Sequence, residues 1–233
     1  MLVLGIETSG PFCSVGLFGG DKVLAERTVW GQKIHSVRLI PLIEGVLQDA
    51  GREPKDLEGI AVSSGPGSFT GLRIGLTTAK SLAHALDLPV AGVPSLDVLV
   101  YPLRNSAGLL CAIVPARKDE VYAGVYDPGN PEPHCLHGPV ALETATLVET
   151  ARRLNEPVLF VGEAVGIYRE LLEKELGDQV RFAPASLQSR GAVVAEMGYT
   201  RLVDGRGMTA FALQPEYIRP PAAEVLWQAR NVR

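Results

Sequence analysis

The residues of this chain best suited to chemistry fall into small groups, each with a plainer role beside it. Gly65-Pro66-Gly67-Ser68 ends an apolar run and precedes a helical pattern. Free amides at a glycine turn and at the start of a helix favour anions, so this segment has the makings of a phosphate cradle. No Lys-Ser or Lys-Thr pair follows at P-loop spacing, however, and the preferred reading is a tight turn packing strand against helix. Ser68 stands where a hydrolase nucleophile would stand, but Gly67-Ser68-Phe69-Thr70-Gly71 is not G-x-S-x-G. A helix cap at Ser68 or Thr70 is expected instead. His134, Cys135 and His137 are metal donors without a second cluster, better read as an exposed strand. His35 and His84 are lone helix histidines, and Asp119-Glu120 is a pair of carboxylates in a turn between strands. No complete catalytic set emerges, so neither catalytic residues nor metal ligands are expected.

The totals narrow the classes further. With 233 residues, 46% hydrophobic and 21% charged, the chain can bury a real core, as two small domains or one larger one. A net charge of −4 offers no basic footprint for binding nucleic acid or an anionic membrane unaided, so any RNA role requires a partner. Cys13, Cys111 and Cys135 are few and far apart, which fits reduced thiols in the cytoplasm. The start, MLVLGIETS, lacks the basic and apolar regions of a signal peptide. No run approaches the roughly 18–20 apolar residues of a membrane span.

The elements that must position these groups repeat an order. Residues 2–6, 13–18 and 23–30 read as three antiparallel strands, followed by a helix from Ile34 to Ala50 in which Pro41 predicts a kink or restart. A buried strand 59–63, a helix 70–86, a strand 89–93 and a helix 94–103 complete the first half. The second half runs through strands 110–114, 121–126 and 135–142, helix 143–154, strand 158–161, helix 164–176, strand 180–182 and helix 186–203. The tail from Gly205, with Pro215, Pro220 and Pro221, reads as irregular. A βββαβα order occurring twice implies two similar α/β halves, divided as 1–105 and 106–233.

Both first-half helices are apolar beyond what one sheet can cover. In the first, Leu39, Ile43, Val46 and Ala50 share one face, and Val37, Ile40 and Leu47 widen it. In the second, at about 100° per residue, Leu72, Leu76, Ala79, Ala83 and Leu86 form a sheet-facing stripe. Gly71, Gly75, Thr78, Leu82 and Ala85 form another, small at its start, where a second helix could come close. Helical glycine costs roughly 0.5–1 kcal/mol relative to Ala, so the pair needs a reason, and close helix packing is the simplest. The expected partner-binding residues are therefore Leu39, Ile43, Val46, Leu47, Gly71, Gly75, Thr78 and Leu82.

The run Gly65-Pro-Gly-Ser-Phe-Thr-Gly-Leu-Arg-Ile-Gly75, with Ala79-Lys80 and Leu82-Ala83, resembles the TsaB (YeaZ) family. Ile6-Glu7-Thr8-Ser9, His35-Ser36, Leu39-Ile40-Pro41, Pro94-Ser95-Leu96-Asp97, Arg117, Glu120-Val121-Tyr122 and Tyr217-Ile218-Arg219-Pro220 extend the likeness over nearly the whole chain. The resemblance implies a duplicated actin/Hsp70-like α/β fold of the RNase H-like kind. It also implies a part in making N6-threonylcarbamoyladenosine at position 37 of tRNAs that read ANN codons. In that system TsaD carries metal and transfer chemistry, a TsaE-like ATPase joins the complex, and TsaB is the non-catalytic subunit with no cofactor of its own. A homodimer in isolation, tRNA bound only within the complex, and no membrane follow as expectations.

The resemblance also suggests where to look for lost chemistry. Actin-like folds place a carboxylate and hydroxyls near phosphate and metal after the first strand, so Glu7, Thr8 and Ser9 are candidates for vestigial nucleotide contact. The metal-binding H-x-x-x-H of TsaD-like sequences falls on Ser95 and Leu99, neither of which replaces a histidine, and Gly162-Glu163-Ala164 lacks a glycine-rich nucleotide loop. Two departures from the family stand out: Glu7 occupies a position where Asp is usual, and Pro115 replaces an Asp before Ala116-Arg117. The rival class is an enzyme, metallopeptidase-like or ATP-hydrolysing, which would need those ligands or a second phosphate loop.

Overall fold

A computed structural model describes residues 1–31, 34–129 and 132–219. Its first half opens with strands β1 (Leu2–Glu7), β2 (Phe12–Gly19) and β3 (Lys22–Trp30), antiparallel to one another. Strands β4 (Gly59–Gly65) and β5 (Val90–Pro94) then add in parallel, in the order β3-β2-β1-β4-β5. The second half repeats this with β6 (Leu109–Pro115), β7 (Glu120–Asp127), β8 (His134–Glu143), β9 (Val158–Val161) and β10 (Val180–Phe182), in the order β10-β9-β6-β7-β8. The duplicated α/β architecture read from the sequence is the one observed.

Helices α1 (His35–Asp49) and α2 (Phe69–Leu86) cover one face of the first sheet; α4 (Thr144–Arg153) and α5 (Val165–Leu176) cover the matching face of the second. The alternation of β1 dictates what each face holds. Leu2, Leu4 and Ile6 join the α1–α2 core, while Val3 turns to the other side with Ala61, Ala91 and Val93. That back face is covered by α6 (Gly191–Val203), which comes from the far end of the chain. Its approach is set by small residues. A β-carbon on Gly5 would overlap the Gly191 carbonyl and the Ala195 amide, and one on Gly16 would overlap Ala192. Helix α3 (Ser95–Val100) reaches both sheets, through Val98 to the first and through Leu96, Leu99 and Val100 to the second.

A polar seam ties the halves together beside α3. Arg201 donates to the Gly92 carbonyl at 2.5 Å and lies 3.6 Å from Asp97, which accepts from the Tyr126 hydroxyl at 3.0 Å. Burial outweighs these partners and raises the Asp97 carboxyl to about 6.

Local differences from the sequence reading have physical causes. Pro41 neither breaks nor restarts α1: it lies on the exposed face, where water can satisfy the carbonyl that loses its amide partner. The last helix begins at Gly191 rather than 186, the residues before it being irregular with a turn at 185–186. Residues 207–219 are irregular, as expected, but they run back along α2, pairing Met208 with Val90 and burying Leu213. Pro220 and Pro221 lie outside the described residues. Among the described residues no helix is long and apolar enough to cross a membrane.

Candidate functional site

The β1–β2 turn is closed by its own side chains. Glu7 is fully buried and accepts from the Ser9 amide and the Ser9 hydroxyl, both at 2.6 Å, and from the Ser63 hydroxyl of β4. Burial raises its carboxyl above the ordinary 4.5, and the donors from Ser63 and Ser9 oppose that rise. Thr8, also buried, donates its hydroxyl to the Gly71 carbonyl at 2.9 Å. The three residues put forward for vestigial nucleotide contact are therefore together, buried, and engaged with one another or with α2.

The glycine turn before α2 is closed as well. The Ser68 amide donates to the Ser9 carbonyl at 2.7 Å, and a β-carbon on Gly67 would overlap that same carbonyl. Ser68 caps the helix, accepting from the Gly71 amide at 3.2 Å. The segment thus acts as the tight turn the sequence favours, with a principal amide already occupied.

Between the halves lies a cleft of ≈ 390 Å³, lined by Pro11, Phe12 and Trp30 from the first half and by Gly162, Glu163 and Arg169 from the second. Glu163 is its unusual group: both carboxylate oxygens are buried without a hydrogen-bond partner among the described residues. Burial, with the nearby charge of Glu7 added, raises it to about 7. Its carboxylate is tucked under the Gly10 turn. Ser95 and Leu99 are both buried, the Ser95 hydroxyl without a partner among the described residues. Among the described residues no three His, Cys, Asp or Glu side chains are grouped to hold a metal. His134 and His137 are exposed on β8; His35 is buried beside the Phe12 carbonyl at 3.2 Å, and His84 packs edge-on to Phe211.

The helix pair requires a correction at the level of residues. Leu39, Ile43, Val46 and Leu47 are all buried in the core against the first sheet, so they belong to the fold and not to a free surface. Gly71 and Gly75 are buried too, and what approaches them is Thr8: its carbonyl sits where a Gly71 β-carbon would be, its hydroxyl where a Gly75 β-carbon would be. The close neighbour demanded by two helical glycines is the chain's own β1–β2 turn. Thr78 and Leu82 are half-buried.

What α1 and α2 leave outward is different. On α1, Val37 is 69% exposed and Ile40 47%, with exposed Pro41 beside them; on α2, Ile74 and Thr78 are half-buried and Thr77 and Ser81 exposed. The apolar excess around α1 was the signal for these positions; it identified the helix but not which residues the sheet would take. Phe69 and Arg73, four apart at the start of α2, are helix neighbours by spacing, but Tyr217, which joins them from the tail, had no signal in the sequence.

Residues 29–227 match the family described as TsaD, tRNA N6-adenosine threonylcarbamoyltransferase. A Bacillus subtilis protein named tRNA threonylcarbamoyladenosine biosynthesis protein TsaB is 33% identical over 228 residues, 97% of this chain and 98% of that one. YeaZ from Pseudomonas aeruginosa superposes with a TM-score of 0.76 at 26% identity, covering 93% of this chain and 99% of the other. The ROK hexokinase from Thermus thermophilus, at 14% identity and a TM-score of 0.53 over 87% of this chain and all (100%) of its own, shares the fold.

Proposed function

The chain belongs to the TsaB (YeaZ) family within the wider TsaD-like group, and from that premise we propose that it is a non-catalytic scaffold of tRNA threonylcarbamoyladenosine biosynthesis. Its role is to hold a TsaD-like paralogue in an active arrangement, using the outward face of α1 and α2. The paralogue supplies the metal and the transfer chemistry at position 37 of tRNAs reading ANN codons; this subunit needs no cofactor of its own. A TsaE-like ATPase and tRNA join only the assembled complex, and in isolation the same face pairs with a second copy in the cytoplasm.

One observation carries this reading: Val37 and Ile40 stand exposed on a helix whose other apolar residues are fully used by the core. The engagement of Glu7, Thr8 and Ser9 inside the fold supports a partner role over a nucleotide-hydrolysing one. The test contrasts adjacent residues. Ile40→Glu should abolish association with the paralogue and with itself in light scattering, while changing stability by no more than about 0.5 kcal/mol. Leu39→Ala should cost about 2–5 kcal/mol through the cavity it leaves. Normal association of the Ile40→Glu protein defeats the proposed face, and tight ATP binding with turnover by the wild-type chain defeats the scaffold role.

A further inference from the structure

The start of α2 carries a prearranged cation. The Arg73 guanidinium lies 4.0 Å over the Phe69 ring, and its Nε donates to the Tyr217 hydroxyl at 3.3 Å. Tyr217 in turn packs on Phe69, ring centroids 5.2 Å apart. The tail is held there at two points: the Glu216 amide donates to the Ser64 carbonyl at 2.7 Å, and Arg219 pairs with Glu120 of the second half at 3.0 Å. Two stretches remote in sequence, the start of α2 and the tail, thus meet at one exposed arginine, and among the described residues no carboxylate lies within 4.0 Å of it.

Resting on the scaffold reading above, we propose that Arg73 is the electrostatic anchor of the partner face, engaging an Asp or Glu carboxylate of the protein docked on α1 and α2. The argument is one of preorganisation. A free arginine loses rotamer freedom when it pairs, whereas this one is already fixed by an aromatic face and a hydroxyl, with its terminal nitrogens left to fork a carboxylate. Stacked arginines beside apolar patches are the type that dominates binding energy. Arg73 adjoins half-buried Ile74, and exposed Thr77 follows one turn on. The planar fork of one fixed arginine matches a single carboxylate, whereas a nucleic-acid backbone calls for several cations in line.

The experiment measures affinity for the TsaD-like paralogue at low and high salt, and affinity for tRNA, using wild type, Arg73→Ala, Arg73→Lys and Tyr217→Phe, with melting curves to confirm folding. Arg73→Ala should weaken paralogue binding about tenfold or more and flatten its salt dependence. Lys should not restore it, since it lacks the planar fork, and Tyr217→Phe should lose a smaller factor. If Arg73→Ala binds within about twofold of wild type while Ile40→Glu still fails, the face stands and the anchor is refuted. A loss confined to tRNA would make the ligand a phosphate and overturn the proposal. No binding by the wild-type chain would remove the scaffold reading, and the anchor with it.

Discussion

The two halves repeat one topology but close the backs of their sheets in different ways. Against the first sheet, the 13-residue α6 rests backbone on backbone through Gly5, Gly16 and Gly191. Against the second, the 6-residue α3 packs through the side chains of Leu96, Leu99 and Val100. Backbone contact leaves nothing that can rotate away, whereas side-chain contact can yield by repacking. The half that presents α1 and α2 is therefore closed in part by contacts that cannot repack, made by a helix from the other end of the chain.

The largest expected effect tests that contrast on each middle strand. Gly5→Val should cost more than about 3 kcal/mol or prevent folding, because its β-carbon has only the α6 backbone to displace. Ala112→Val, on the fully buried back of β6 among α3 side chains, should cost about 1–2 kcal/mol. Denaturant midpoints decide it, and equal losses would erase the difference between the halves.

The cleft offers the same comparison in polar form. The carboxylates of Glu7 in the first half and Glu163 in the second are both buried, yet among the described residues Glu7 has three donors and Glu163 none. An unsatisfied buried acid favours its proton, so Glu163 stays protonated in the folded chain up to about 7 while the unfolded chain releases that proton near its ordinary 4.5. In that window the folded state binds more protons, and stability falls as pH rises from 4.5 through 7. Glu163→Gln should match wild type in acid, remove the part of this slope that Glu163 contributes while leaving that of Asp97 and Glu7, and gain on the order of 3 kcal/mol at pH about 8. Parallel curves for the two proteins across that range would show Glu163 to be no less satisfied than Glu7.

The same contrast explains what could be read from the chain alone. Periodicity and the repeated βββαβα order located nearly every element, because alternation in β1 and the stripes of α1 and α2 are local properties. The glycines of α2 announced a close neighbour correctly, but its identity depended on tertiary placement: Thr8, 63 residues before Gly71, fills the space that looked like a docking surface. For the same reason Leu39 and Leu47 could not be separated from Val37 and Ile40, since apolarity marks both core and interface. The stack on Arg73 was illegible because it is completed by the tail, and no spacing rule links residues 73 and 217.

The smallest effect concerns how equivalent helices end. Helix α2 closes on Asp87 at φ 53°, ψ 46°, a left-handed conformation that Asp tolerates at some cost. Helix α5 closes on Gly177 at φ 54°, ψ −125°, a region open in practice only to glycine. Opposite substitutions should therefore differ in sign and size. Asp87→Gly relieves the left-handed strain but adds unfolded-chain freedom, for a net gain of about 0.5 kcal/mol. Gly177→Asp must either hold a closed conformation or unwind the last turn of α5, a loss of about 1–3 kcal/mol. Thermal midpoints of the two variants measure both. If Asp87→Gly proved as destabilising as Gly177→Asp, the Asp87 side chain would have to be holding the α2 terminus in a way its backbone angles do not disclose, and the closures of the two halves would be more alike than their conformations imply.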